Sequence, residues 1–130
     1  MKNLKIKSGL LAFVFGLVIV FSQSAFKNAT NPNGKNLVLR SFYYHGPTSY
    51  AQAEVEDENN WSTSPNEGCN DDNQIPCLIR VDESFVDNPS SPTPTLKATA
   101  NIQASLNSPT SSYYVSGSDD PSMEIENKTK

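Results

Sequence analysis

The pattern of apolar and polar residues is most regular over residues 96–106. Apolar positions alternate there with polar ones, and they are Leu96, Ala98, Ala100, Ile102, Ala104 and Leu106. A period of two is typical of a strand with one buried face, whereas a helix would distribute these residues around its circumference. The pattern therefore predicts one long strand, despite the helix preference of alanine.

Four other segments carry strand patterns. Residues 36–44 are rich in branched and aromatic side chains on both faces, which predicts a central strand. Residues 49–56 alternate, and we expect them to pair with the first strand in a hairpin across the turn at Gly46. Residues 77–82 and 113–115 predict two shorter strands.

The remaining segments are rich in residues that favour turns and loops. Residues 58–74 predict a long loop, and three prolines within residues 88–95 predict a stiff Pro/Ser/Thr-rich connector. Residues 26–35 predict a flexible lead-in, and residues 117–130 predict a disordered tail. The expected fold is a mainly β domain over residues 36–116, a small antiparallel sheet or sandwich with long loops, one disulfide and disordered termini.

Residues 1–25 have the order of a secretory signal peptide. Three lysines precede an apolar run over residues 9–21, and small residues follow it. The run is thirteen residues long, shorter than the roughly 20 that an uncleaved membrane span requires. We therefore expect cleavage, no stable membrane span afterwards, and a periplasmic or extracellular location.

The charge balance narrows the choice of partners. The whole chain carries a net charge of −4; loss of the three signal lysines leaves seven basic residues against fourteen acidic ones, or −7. Without a basic patch, nucleic acid is excluded as a partner. No Lys or Arg occurs between Arg40 and Arg80. This acidic stretch is interpreted as a solvated loop, with contact to a cation or a basic partner as the alternative.

The two cysteines, Cys69 and Cys77, predict a disulfide, because the count is even and the chain is exported. Closing the ring between them stabilises the fold by about 2.5 kcal/mol in the chain-entropy model. Two thiols supply only half of a tetrahedral zinc site, and their spacing differs from the C-x-x-C of redox enzymes.

Candidate chemistry is sparse. His45 is the single histidine, so a hydrolase would depend on it, but no nucleophile or orienting acid accompanies it in sequence. No catalytic motif is present, and we expect neither an enzyme nor a cofactor. Calcium is the alternative, with oxygen ligands offered by an acidic loop that lacks EF-hand spacing: Asn70, Asp71, Asp72 and Asn73.

Trp61 is the single tryptophan and lies in the predicted long loop. Packing onto the core is the favoured interpretation, and an exposed platform for a glycan or peptide is the alternative. Glycosylation sequons begin at Asn28, Asn60 and Asn127, and they matter only in a host that glycosylates asparagine.

The order of several short motifs resembles that of a known group of proteins. A Lys-rich signal precedes an aromatic run at residues 41–44, then Asn60-Trp61, Cys69 and the Pro76-Cys77 pair. Over residues 1–81 the chain resembles small uncharacterised exported proteins of Bacteroidota, a domain family of unknown function. The resemblance implies export and a disulfide. That family has no assigned activity, so no functional residues carry over.

The sequence thus predicts an exported, acidic, non-enzymatic β domain that acts by binding or structural association. Its expected partner is a protein or glycan at the cell exterior, and exposed strand edges permit self-association. The alternatives are a calcium-dependent extracellular module, a secreted peptide precursor that is largely disordered, and a hydrolase.

Export and disulfide formation can be tested together by the intact mass of the protein recovered from its host. We expect the mass of a chain shortened by about 25 residues. We also expect no alkylation of thiols until the protein is reduced. A full-length mass with two alkylated cysteines would contradict both expectations.

Overall fold

The computed structural model describes residues 36–66 and 68–130. The predicted signal peptide and the lead-in at residues 26–35 lie outside the described residues. Within them, the mainly β fold with antiparallel sheets is confirmed. The strands are β1 (Leu39–Tyr44), β2 (Trp61–Ser62), β3 (Ile75–Asp82), β4 (Val86–Asp87), β5 (Thr95–Leu96), β6 (Gln103–Asn107), β7 (Ser112–Gly117) and β8 (Glu124–Lys128).

One four-stranded sheet organises the fold, with the strand order β2-β1-β3-β8 and antiparallel pairing throughout. Strand β3 lies inside this sheet, and its residues from Ile75 to Ile79 are all buried. Such a continuous apolar run is what a strand covered on both faces requires. Phe42 of β1 and Ile125 of β8 both lie opposite Ile79 in the register.

Two smaller antiparallel pairs complete the β structure. Strands β6 and β7 form a hairpin, and β7 also contacts β3 of the main sheet. Strands β4 and β5 pair over two residues each, and residues 88–94 of the predicted Pro-rich connector form the loop between them. The buried side chains from all these elements form one apolar core: Phe42, Tyr44, Val55, Trp61, Ile79, Val81, Val86, Leu96, Ile102 and Val115.

An aromatic cluster fills one end of this core. The rings of Tyr44 and Trp61 meet edge to face with centroids 5.3 Å apart. The indole nitrogen of Trp61 donates to the Val55 carbonyl at 3.0 Å, and the Tyr44 hydroxyl donates to the Pro47 carbonyl at 3.1 Å. Any side chain at Gly46 would collide with the Tyr44 hydroxyl, which explains the glycine in this turn.

The predicted strand over residues 49–56 is wrong, because a short helix, α1 (Gln52–Val55), occupies its centre. The Glu54 carboxylate accepts hydrogen bonds from the Ser49 hydroxyl at 2.5 Å and from the Ala51 N–H at 2.9 Å. These local bonds fix the first turn, and Ala, Gln and Glu all favour helix. The predicted hairpin with residues 36–44 is therefore also wrong, and β3 takes the place beside β1.

The long strand predicted over residues 96–106 is interrupted. A 3-10 turn at Ala98–Ala100 separates β5 from β6, and Asn101 follows it in a left-handed conformation with φ of 46°. Asparagine tolerates this conformation better than most residues. Leu96, Ala100 and Ile102 are buried, but Ala98 and Leu106 are exposed, so the alternation located only part of the core and the implied straight geometry was wrong.

The prediction of a disordered tail over residues 117–130 is wrong, since β8 lies within it and pairs with β3. A buried carboxylate orders the turn before this strand. Asp120 accepts from the Asp82 N–H at 2.7 Å and from the Ser122 N–H at 2.8 Å. The small polar residues that suggested disorder therefore form a turn, and Ile125 then packs against the core.

Burial, assisted by the nearby Glu54 carboxylate, raises the pKa of Tyr44 from 10 to about 12. The unfolded chain therefore ionises this phenol first as pH rises. The stability linked to Tyr44 is complete below pH 10 and is lost between pH 10 and 12.

Tyr44→Phe removes this ionisation and keeps the ring. Between pH 9 and 12, we expect the unfolding free energy of the variant in urea to fall less than that of the wild-type protein. Near neutral pH the variant should be about 1 kcal/mol less stable, because it loses the bond to Pro47. Parallel pH profiles for the two proteins would contradict this prediction.

Candidate functional site

A buried side chain joins the four-stranded sheet to the β6–β7 hairpin along the seam between β7 and β8. Asn127 is 3% exposed, and its amide oxygen accepts from the Val115 N–H at 3.1 Å. Its amide nitrogen donates to the Val115 carbonyl at 3.0 Å and to the Asn73 side-chain oxygen at 2.9 Å. The side chain thus supplies β7 with the bonds that a neighbouring strand would otherwise provide.

The predicted disulfide between Cys69 and Cys77 is confirmed, with Cα atoms 5.7 Å apart. It closes a loop that lies against the end of β8. The backbone N–H groups of Asn70 and Asp71 both donate to the Asn127 carbonyl, at 3.2 and 3.1 Å. The loop therefore covers part of the outer edge of β8.

The same loop binds the last residues of the chain. The Asn70 side chain accepts from the Thr129 N–H at 3.0 Å and donates to the Thr129 hydroxyl at 2.8 Å. That hydroxyl donates to the Asp72 carboxylate at 3.1 Å. The Lys130 N–H donates to the Gln74 side chain at 3.1 Å. These bonds fasten the chain end beside the disulfide.

These contacts show where the structure places the calcium candidates. The side-chain oxygens of Asn70 and Asp72 accept hydrogen bonds from Thr129, and that of Asn73 accepts one from Asn127. Within residues 36–66 and 68–130, no group of three or more His, Cys, Asp or Glu residues is placed to hold a metal ion. The polar loop residues thus serve to dock β8 and the chain end.

An open cleft of about 370 Å³ lies along the seam between β7 and β8. This volume falls within the range of small-ligand sites, although its lining is more polar than most. The residues that line it are Asp71, Asn73, Tyr114, Val115, Ser116, Ile125 and Asn127. The seam cleft, defined by these residues, is the candidate functional site.

Several polar groups in the seam cleft are available to a ligand. Among the described residues, none forms a hydrogen bond with the Asp71 carboxylate, the Tyr114 hydroxyl or the Asn73 amide nitrogen. Asp71 supplies the single charge of the lining, and its backbone is left-handed with φ of 59°. The cleft therefore combines an acceptor, a donor and a hydroxyl that does both, beside an aromatic ring.

The aromatic residue at the cleft is Tyr114 and not Trp61. Trp61 is 3% exposed, so the platform alternative is wrong, and the structure places its ring in the core. Tyr114 precedes the buried Val115 in β7. Because neighbouring residues of a strand point to opposite faces, the position of Tyr114 next to the apolar Val115 indicated a side chain directed away from the core.

The other singled-out residues lie outside the seam cleft. His45 is exposed, and its Nε2 atom contacts the Ser64 carbonyl at 3.0 Å. The side-chain amide of Asn60, the first residue of a predicted sequon, donates to the Glu54 carbonyl at 2.8 Å. Asn28 lies outside the described residues. None of these placements assembles a nucleophile with a base.

No protein-family model, curated protein or solved structure matches this chain. The resemblance to exported proteins of Bacteroidota consequently stays a prediction.

Replacing Asn127 tests whether its amide joins the sheets. Asn127→Ala leaves the buried N–H and carbonyl of Val115 without partners. We expect the free energy of unfolding in urea to fall by roughly 2–4 kcal/mol. Asn59→Ala is the control, because that amide is exposed and bonds locally to Asp57, and its effect should stay within about 0.5 kcal/mol. Equal effects would contradict the joining role.

Proposed function

We propose that this protein is an exported, non-enzymatic binding domain that holds its ligand in the seam cleft, in the periplasm or outside the cell. The observation that carries this proposal is the combination of unpaired polar groups and the Tyr114 side chain in one open cleft. Such convergence of a few polar groups with an aromatic residue is typical of recognition sites.

The Cys69–Cys77 disulfide supports an oxidising compartment, because disulfides persist outside the reducing cytosol. In the described part of the chain, no helix is long and apolar enough to span a membrane. Together with the signal-like residues 1–25, the disulfide supports export.

The side chains in the cleft support binding over catalysis. Hydrolysis by nucleophile and base requires the two groups to lie within hydrogen-bond reach of each other. The one hydroxyl besides Tyr114 in the lining belongs to Ser116, which donates to the Gln103 carbonyl at 3.3 Å. His45 does not belong to the lining. Asp71 and Asn73 can hold a ligand without reacting with it.

A perturbation experiment tests the site without knowledge of the ligand. The probe is the low-molecular-weight fraction of a hydrolysate of the host cell envelope, added to ¹⁵N-labelled exported protein. We expect the amide signals of cleft residues to shift, among them Tyr114, Ser116 and Ile125. Shifts confined to other surfaces, or no shifts at saturating probe, would contradict the proposal.

Two tyrosine variants provide a matched comparison. Tyr43 and Tyr114 are both half-buried strand residues, but Tyr43 lies in β1, outside the cleft. We expect Tyr114→Ser to abolish the shifts and Tyr43→Ser to preserve them. Thermal unfolding of both variants establishes that the comparison is made on folded protein.

A further inference from the structure

The seam cleft also indicates which chemistry its ligand has. We infer, on the basis of the proposed function, that the ligand is an uncharged sugar segment of a glycan. In this arrangement the sugar lies against the Tyr114 ring, donates a hydrogen bond to the Asp71 carboxylate and accepts one from the Asn73 amide nitrogen.

An extended peptide is disfavoured because β8 has too little free edge to template a strand. The Asn127 carbonyl points away from β3, toward Asn70 and Asp71. Because the main-chain groups of an antiparallel strand alternate in direction, the N–H and carbonyl of Ile125 also face away from β3. The Met123 N–H is already bonded to the Asp120 carbonyl at 3.2 Å. Between these occupied groups, Ile125 is thus the one residue that can offer main-chain hydrogen bonds to a ligand. Addition of a peptide strand needs several such residues.

The facing edge of β7 is occupied as well. The N–H and carbonyl of Val115 are bound by the Asn127 side chain. The N–H of Tyr113 donates to the Tyr50 carbonyl at 2.9 Å. A ligand in the cleft therefore meets side chains and not a free backbone ladder. Recognition by side chains suits a compact ligand with hydroxyl groups on several sides.

Charge disfavours anionic ligands and gives cations little advantage. Asp71 is the single charged residue of the lining, and the whole chain is acidic, so an anion would be repelled. For a cation, one exposed carboxylate provides a weak, salt-screened attraction. An uncharged polar ligand is not repelled by Asp71 and does not depend on a screened attraction, because most groups of the lining are neutral.

A sugar satisfies the unpaired groups of the cleft. Each sugar hydroxyl both donates and accepts, so it can donate to the Asp71 carboxylate and accept from the Asn73 amide nitrogen. The C–H face of a sugar ring is apolar and suits the face of an aromatic ring such as that of Tyr114. The hydroxyl of Tyr114 can bond a neighbouring position on the same sugar.

Nuclear magnetic resonance titration of the exported protein tests this inference. The neutral probes are N,N′,N″-triacetylchitotriose, cellotriose, maltotriose and mannotriose; the charged probes are sialyllactose and trilysine, all in buffer containing EDTA. We expect at least one neutral trisaccharide to shift the amide signals of Asp71, Asn73 and Tyr114. Sialyllactose and trilysine should leave them unchanged.

Variants assign the roles of the side chains. Asp71→Ala removes one charge-assisted hydrogen bond, and we expect affinity for the bound trisaccharide to fall about tenfold or more. Tyr114→Ser should abolish binding, Tyr114→Phe should retain weakened binding through its ring, and Tyr43→Ser should bind like the wild-type protein. Undiminished binding by Tyr114→Ser would overturn the inference.

The outcomes separate this inference from the proposed function. If the envelope hydrolysate shifts the cleft signals while every neutral trisaccharide fails, the proposed binding site stands and the sugar inference is overturned. Cleft shifts produced by trilysine or sialyllactose in place of neutral sugars would also overturn it. If neither the hydrolysate nor any sugar shifts the cleft signals, both proposals fail.

Discussion

The hydrogen bonds of the Asn127 amide hold the β6–β7 hairpin against the four-stranded sheet, and the arrangement of these two sheets depends on them. A buried backbone N–H and carbonyl both need partners, and β7 presents such a pair at Val115 on the edge that faces β8. A continuous hydrogen-bonded ladder would bring β7 and β8 to normal strand spacing. A side chain instead spans the seam and satisfies the same groups. The seam is therefore held together while space for a cleft is left beside it.

The disulfide loop keeps this seam in place from outside the sheet. The cross-link at Cys69 and Cys77 limits the conformations of the loop in the unfolded chain. In the folded chain, the loop positions Asn73 against Asn127 and Asp71 against the end of β8. One short covalent ring thus supports both the packing of the last strand and one wall of the cleft. Stability and the proposed ligand recognition therefore depend on the same residues.

Sequence patterns predicted the elements whose signals are local. Strands β1 and β3 follow from branched and aromatic runs, and the disulfide follows from two cysteines in a chain predicted to be exported. The order of residues 117–130 could not be predicted in this way, because it depends on Asp120 bonding to the distant Asp82 N–H. The site was missed for a similar reason. Asn127 was visible as the start of a sequon, and its partner Val115 lies in another strand.

Asn127 begins the sequence Asn-Lys-Thr, so the fold bears on the timing of glycosylation in any host with the modifying enzymes. The nitrogen that would receive a glycan is buried and donates two hydrogen bonds, while the Thr129 hydroxyl is bound to Asp72. Folding and glycosylation therefore compete for the side-chain nitrogen of Asn127. A chain that folds first is protected from modification at this position, and a chain modified first cannot close its seam.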